Sequence, residues 1–233
     1  MNALVGGGSF VTLPALIACG VPSVTANTTS AVALFPGQIT SAWTYRDGLG
    51  PIGPVALRSL AIATFLGGAL GALLLLRTPS STFDVILPWL LALATGALAF
   101  GPQLGEWLRH RWPLSVALVI AVQFGLGVYG GYFGGGVGIM MMAVWSLIAD
   151  RTLKSFNAPR TFMVCAANAV AVIIFTAARA VAWHPALAIL VGALIGGFLG
   201  SHLGRRASAR IVRVATLGLS VGITLLFFIR AYW

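Results

Sequence analysis

VYGGYFGGGVGIMMM, Val128–Met142, sets a cluster of glycines inside apolar sequence. No charged residue lies between Arg111 and Asp150. One apolar segment, Leu114–Phe133, precedes the glycines, and a shorter one, Val137–Ala149, follows them. As one straight helix at 1.5 Å per residue the run would be roughly 54 Å long, against about 30 Å of hydrocarbon. It has to break, and Gly134-Gly135-Gly136 is the place. The second arm, about 20 Å as a helix, is too short to cross alone. The stretch therefore predicts a helix, a glycine break at membrane depth and a returning, re-entrant half-helix. Irregular backbone there must be buried in protein or line a cavity, because lipid satisfies neither N–H nor C=O. Broken helices of this kind are where transporters bind substrate.

The rest of the chain agrees with a membrane setting. Of 233 residues, 59% are hydrophobic and 8% charged, and the mean hydropathy is +0.98. That composition belongs to an all-α polytopic membrane protein embedded in the lipid bilayer, with about 7–8 hydrophobic segments. The net charge of +10 raises a nucleic-acid partner, but the basic residues lie between apolar segments rather than on one solvated face, so no nucleic acid is expected. Cys19 and Cys165 have no CxxC or CxxH spacing and are read as buried, inert thiols. Met140, Met141 and Met142 read as packing, and neither a metal nor a cofactor is expected. A homo-oligomer is compatible with the sequence.

Outward from the glycine break, the chain reads as a duplication. Gly6-Gly7-Gly8 leads into a short apolar half-helix, Ser9–Ala18, closed by Gly20 and Pro22. The uncharged polar stretch Ser23–Ser30 follows, with Asn27 and Thr28 as N-cap candidates for a helix over Ser30–Tyr45. Spans are predicted over Leu60–Leu76, Phe83–Phe100, from Arg160 to Ala178, Pro185–Leu203 and Val214–Phe228. Gly67, Gly68 and Gly71 form one small-residue face, and Gly192, Gly196, Gly197 and Gly200 another. The second glycine break corresponds to the first at an offset of 128 residues, and Asn157 to Asn27 at an offset of 130. At that offset Gln38 meets Asn168. Residues 1–100 form the first repeat, N-terminally shortened because only five residues precede its glycines. Residues 101–113 form a cytoplasmic linker, and 114–233 the second repeat.

Charge orients the copies. If every apolar segment crossed once, the two sides would hold 8 and 6 basic residues. If the broken segment makes no net crossing, one side collects Arg46, Arg58, Arg109, Arg111, Arg151, Lys154, Arg160, Arg205, Arg206, Arg210 and Arg213. The other keeps only Arg77, Arg179 and Arg230. That asymmetry is what the positive-inside rule asks for. Each copy then crosses three times, which makes the two copies inverted, pseudosymmetric repeats. Two full crossings by the hairpin would give the same count.

GGGSFVTLPALIACGVPSVTANTTSAVALFPGQITSAWTYRDG, Gly6–Gly48, resembles the first repeat of the TauE/SafE family of sulfite and organosulfonate exporters. GGYFGGGVGIMMM from Gly130, FNAPRTFMVCAANAVAVIIF from Phe156 and VAWHPALAILVGALIGGFLGSHLGRRAS from Val181 resemble its second repeat. The order and duplication of these motifs carry the resemblance over nearly the whole chain. It implies a multi-pass transporter of the bacterial inner membrane that exports a small anion, sulfite or a related organosulfonate. Many relatives carry Gly-Thr and a Lys at the polar turn. Here the turns read ANTTS and NAPRT, so Arg160 stands in for the Lys, and Ser30 takes its place in the first copy.

An anion at membrane depth needs donors and positive potential. Glycine-rich turns leave N–H groups free, and helix N-termini add partial positive charge. The binding candidates are therefore Gly6, Gly7, Gly8, Gly134, Gly135 and Gly136, with Asn27, Thr28, Asn157, Gln38 and Asn168 as neutral donors. Arg160 can hold an oxyanion bidentately. Each has a plainer reading. The glycines can serve close helix packing, Asn27 and Asn157 can cap helices, Gln38 and Asn168 can bond between helices, and Arg160 can be a positive-inside residue. No Asp or Glu sits at membrane depth for a proton relay, which favours uniport. An intramembrane enzyme is disfavoured, since His110, His184 and His202 lie at span ends without HExxH or GxSxG context. A non-transporting assembly or sensor subunit is the other class, and a scaffold has no use for polar backbone at depth.

Overall fold

The computed structural model describes residues 8–109, 115–149, 153–204 and 209–233. These hold nine α-helices and no strand. In chain order they are α1 (Gly8–Ala18), α2 (Ser23–Thr44), α3 (Leu57–Arg77), α4 (Ser80–Arg109) and α5 (Val116–Tyr132). Then come α6 (Val137–Trp145), α7 (Asn157–Ala177), α8 (Trp183–Gly204) and α9 (Ala209–Tyr232). Leu57–Arg77, Ser80–Gly101, Asn157–Ala177 and Val214–Tyr232 are long and apolar enough to cross a membrane. Gly8–Ala18, Val116–Tyr132 and Trp183–Gly196 are shorter apolar helices. The outer surface is apolar, with Leu66, Leu93, Leu194 and Ile229 among its exposed side chains, as lipid contact requires.

Several boundaries differ from the sequence expectation. Ser23–Ser30 is not a turn: it is the first two turns of α2, whose N-cap is Pro22 and uses no side chain. The expected linker is helical through Arg109 as the end of α4; residues 110–113 lie outside the described residues. Arg210 and Arg213 belong to the start of α9 rather than to a basic loop. Cys19 is exposed and Cys165 half-buried, so neither is the fully buried thiol expected.

Glycine spacing has two different consequences. On α3 it brings backbone onto backbone. A Cβ on Gly67 would lie 2.3 Å from the Phe124 carbonyl oxygen of α5, and one on Gly71 would lie 2.0 Å from that of Val128. Reciprocally, a Cβ on Gly131 would lie 2.0 Å from the Gly68 oxygen. Lipid tails are as apolar as leucine, so helices associate in hydrocarbon through such close packing. On α8 the same spacing does nothing of the kind. Gly192 and Gly196 have no atom within 4 Å of an added Cβ, and Leu187, Val191, Leu194 and Ile195 around them are exposed. Gly192→Ala and Gly196→Ala are thus expected to move the melting temperature in detergent by no more than about 2 °C.

The connections sort the helix ends. Ser23 at the start of α2 donates to the Ser80 carbonyl at the start of α4. Tyr232 near the end of α9 donates to the Val85 carbonyl of α4. Thr28 donates to the carbonyl of Ala180, just past α7. One end of the bundle therefore gathers the ends of α3, α7 and α9, which carry Arg77, Arg179 and Arg230. The half-helix α1 runs toward that end and α6 toward the other, because α1 connects to the start of α2 and α6 to the start of α7. Two apolar clusters fill the bundle. One is centred on Leu13, Phe83, Leu87 and Phe175, the other on Leu60, Met141, Trp145 and Met163.

Candidate functional site

The break between α5 and α6 is built by two left-handed residues, Gly134 (φ +81°) and Gly136 (φ +74°). Only glycine adopts that conformation without a steric penalty. Phe133 and Gly134 both donate to the Tyr129 carbonyl and close α5. The Tyr129 hydroxyl lies 3.0 Å from the carbonyl oxygens of Leu90 and Gly135 and donates to one or the other. Gly136 presses on α4, where an added Cβ would lie 2.8 Å from the Ala94 Cβ. The chain then turns into α6. Among the described residues, the N–H groups of Gly135, Gly136, Val137 and Gly138 donate to no protein acceptor. They form the uncapped, partially positive start of a helix, a nest of donors for an anion.

A cavity of about 50 Å³ opens at this point, where the two apolar clusters meet. At 10–15 Å³ per water it holds on the order of four waters. The break contributes Gly136, α6 contributes Val137 and Gly138, and Ser9 comes from the start of α1. Both half-helices thus present their N-terminal ends to one space. α2 adds Gly37, Gln38 and Ser41, and α7 adds Arg160, Thr161, Val164 and Asn168.

Arg160 is the cavity's cation. It is 8% exposed, and among the described residues its side chain has neither an ion pair nor a hydrogen bond. Its stem crosses Gly138, where a Cβ would come within 3.0 Å of Cγ. Glycine at 138 therefore leaves room for the guanidinium to reach the cavity. Asn168, 3% exposed, donates Nδ2 to the Val164 carbonyl one turn back at 2.9 Å. Its Oδ1 faces Gly134. Gln38 Oε1 is buried without a hydrogen-bond partner. A buried polar atom left without a partner costs free energy, which a donor on a bound molecule would recover.

The sequence candidates divide. Gln38, Gly134, Gly136, Arg160 and Asn168 line one cavity. Gly135 is buried in the break beside Phe133. Gly8 opens α1 next to Ser9, and Gly6 and Gly7 lie outside the described residues. Asn157 is the first residue of α7, is half-buried and does not line the cavity. Asn27 and Thr28 also stand apart. Asn27 Nδ2 donates to the Tyr132 carbonyl at 2.9 Å, Thr28 donates to the Ala180 carbonyl, and Thr29 accepts from the Ala182 N–H at 3.0 Å. The first bond ties α2 to the end of α5, and the other two tie it to the α7–α8 turn, where Arg179 takes a left-handed φ of 54°. Ser9, Ser41 and Thr161 were not anticipated. Ser41 lies three residues beyond Gln38 on one helix face, a spacing that could have marked it.

A family model described as "Sulfite exporter TauE/SafE" matches residues 1–227. A "Probable membrane transporter protein" of Haemophilus influenzae is 27% identical over 91% of this chain and 83% of its own length. "Probable membrane transporter protein ORF9" of a Sinorhizobium species is 28% identical, over 97% and 86%. "Probable membrane transporter protein YfcA" of Escherichia coli K12 is 25% identical, over 91% and 79%. These relatives are named as transporters and not as enzymes. No solved structure matches the chain.

Proposed function

The chain belongs to the sulfite exporter TauE/SafE family of multi-pass membrane transporters, and on that premise we propose that its cavity carries sulfite or a related organosulfonate out across the bacterial inner membrane. The observation that carries this reading is Arg160, a buried cation without an acidic partner among the described residues, beside the free N–H groups of α6. Guanidinium and backbone donors together match a compact oxyanion. Gln38 and Asn168 add side-chain amides from helices that correspond between the halves. Meeting half-helices that run to opposite ends support the inverted-repeat reading.

Alternating access is supported by an asymmetry along α2 and α7. Cavity-lining residues occupy the second half of α2 and the first half of α7. The first half of α2 is bound to the turn beyond α7 by Thr28 and Thr29. Asn27 and Thr28 then seal one side rather than hold substrate. Arg46, Arg58 and Lys154 cluster by position at the opposite end, which the positive-inside rule makes cytoplasmic.

Among the described residues no carboxylate lines the cavity, and the reading is therefore transport of the anion without a coupled proton. Transport is then uniport, driven outward by a potential worth about 2.3 kcal/mol per charge per 100 mV. In proteoliposomes, sulfite and sulfoacetate flux should saturate and rise with an imposed potential that is negative on the anion-loaded side. Sulfite flux that ignores the potential, or needs a proton gradient, would reject uniport. An inert protein with every anion tried, sulfate and chloride included, would reject the transport reading.

A further inference from the structure

Behind the cavity lies a second polar group that the site does not use. Thr64 of α3, Gln123 of α5 and Trp145 of α6 are each 0% exposed. Trp145 Nε1 donates to Gln123 Oε1 at 3.0 Å. Gln123 Nε2 donates to Thr64 Oγ1 at 2.7 Å, and Thr64 Oγ1 donates to the Leu60 carbonyl at 2.7 Å. Three helices are joined by one chain of bonds inside an apolar cluster.

The position of Trp145 gives this chain a consequence. It is the last residue of α6, whose first residues form the donor nest. The sequence of α6, VGIMMMAVW, offers one polar side-chain group, the Trp145 indole. Its other side-chain contacts are apolar and non-directional. Such contacts are non-directional, so they oppose a sliding or turning of the helix less specifically than a hydrogen bond does. A directed bond to Gln123 does resist it, and α5 is itself fixed to α3 by the glycine contacts. We propose that Gln123, through Trp145, is a positioning residue that sets the axial register of α6 and so the distance between the α6 donor nest and Arg160. This rests on the anion-site reading above.

The test uses three variants of the full chain in proteoliposomes. Gln123→Met leaves the indole N–H without an acceptor, and Trp145→Phe leaves Gln123 Oε1 without a donor. The double variant removes both partners, which restores satisfaction. A structural role and a positioning role then part. On our proposal, the double variant melts above Trp145→Phe, which leaves the same smaller ring but also an unpaired Gln123 Oε1, while its KM for sulfite stays raised by about 10-fold with Vmax unchanged. Recovery of KM together with melting temperature would overturn it. If the wild type moves no sulfite, the sulfite reading fails by itself. The register is then judged by phenylglyoxal modification of Arg160, read by peptide mass spectrometry. A rate changed by about threefold or more in the double variant supports the proposal; a rate equal to wild type overturns it.

Discussion

Arg160→Gln is expected to lower saturable anion flux by about 100-fold while leaving the protein at least as stable as wild type. The two effects have one cause. Arg160 is buried, and among the described residues no acid neutralises it. Desolvating an unpaired cation costs free energy that the fold alone does not recover. A substrate anion recovers it, through two parallel N–H bonds that amide nitrogens cannot reproduce with charge. Removing one partner of a buried, hydrogen-bonded charge pair costs about 2–5 kcal/mol. Arg160→Lys keeps the charge and loses the planar fork, so a smaller loss of about 10-fold is expected. Flux in proteoliposomes and a melting curve in detergent decide the matter. A variant that transports normally, or one that loses flux only because it unfolds, would remove Arg160 from the site.

Gly71→Ala is expected to lower the melting temperature in detergent by roughly 10 °C and to cut the yield of folded protein. The added methyl would stand 2.0 Å from the Val128 carbonyl oxygen. What it meets is backbone, which cannot rotate away as a side chain can. α3 and α5 must separate along a contact that also involves Gly67, Gly68, Gly127 and Gly131. Overpacking costs typically 1–3 kcal/mol, and a rigid backbone obstacle puts this case at the upper end. Gly125→Ala on α5 is the matched control. An added Cβ there has nothing within 4 Å, so alanine should be neutral or slightly stabilising through helix propensity. Equal melting temperatures for the two variants would show that the α3–α5 contact tolerates separation.

The broken helix was legible because its causes are local. An uncharged run too long for the bilayer must break, and it breaks where glycine allows a left-handed turn. The predicted arms, Leu114–Phe133 and Val137–Ala149, became α5 and α6 within a few residues. The polar stretch Ser23–Ser30 was misread for the opposite reason. Consecutive Ser, Thr and Asn residues look like a turn when their partners are unseen. Asn27, Thr28 and Thr29 bond Tyr132, Ala180 and Ala182, which lie 105, 152 and 153 residues away. With those partners in place the stretch is free to be helical, and its side chains become joints between helices.

Sequence by itself determined the membrane class, the glycine break and the short helices that flank it, since hydropathy, charge and backbone freedom are properties of the chain read in order. It also named Gln38, Arg160 and Asn168. Tertiary structure alone decided that these three face one cavity, that Asn27 and Thr28 do not, and that Gln123 reaches Trp145. It also decided that the glycines of α3 are packed against backbone while Gly192 and Gly196 of α8 are not. Those outcomes depend on which helix lies beside which, at a precision of an ångström, and no pattern along one segment encodes its neighbour.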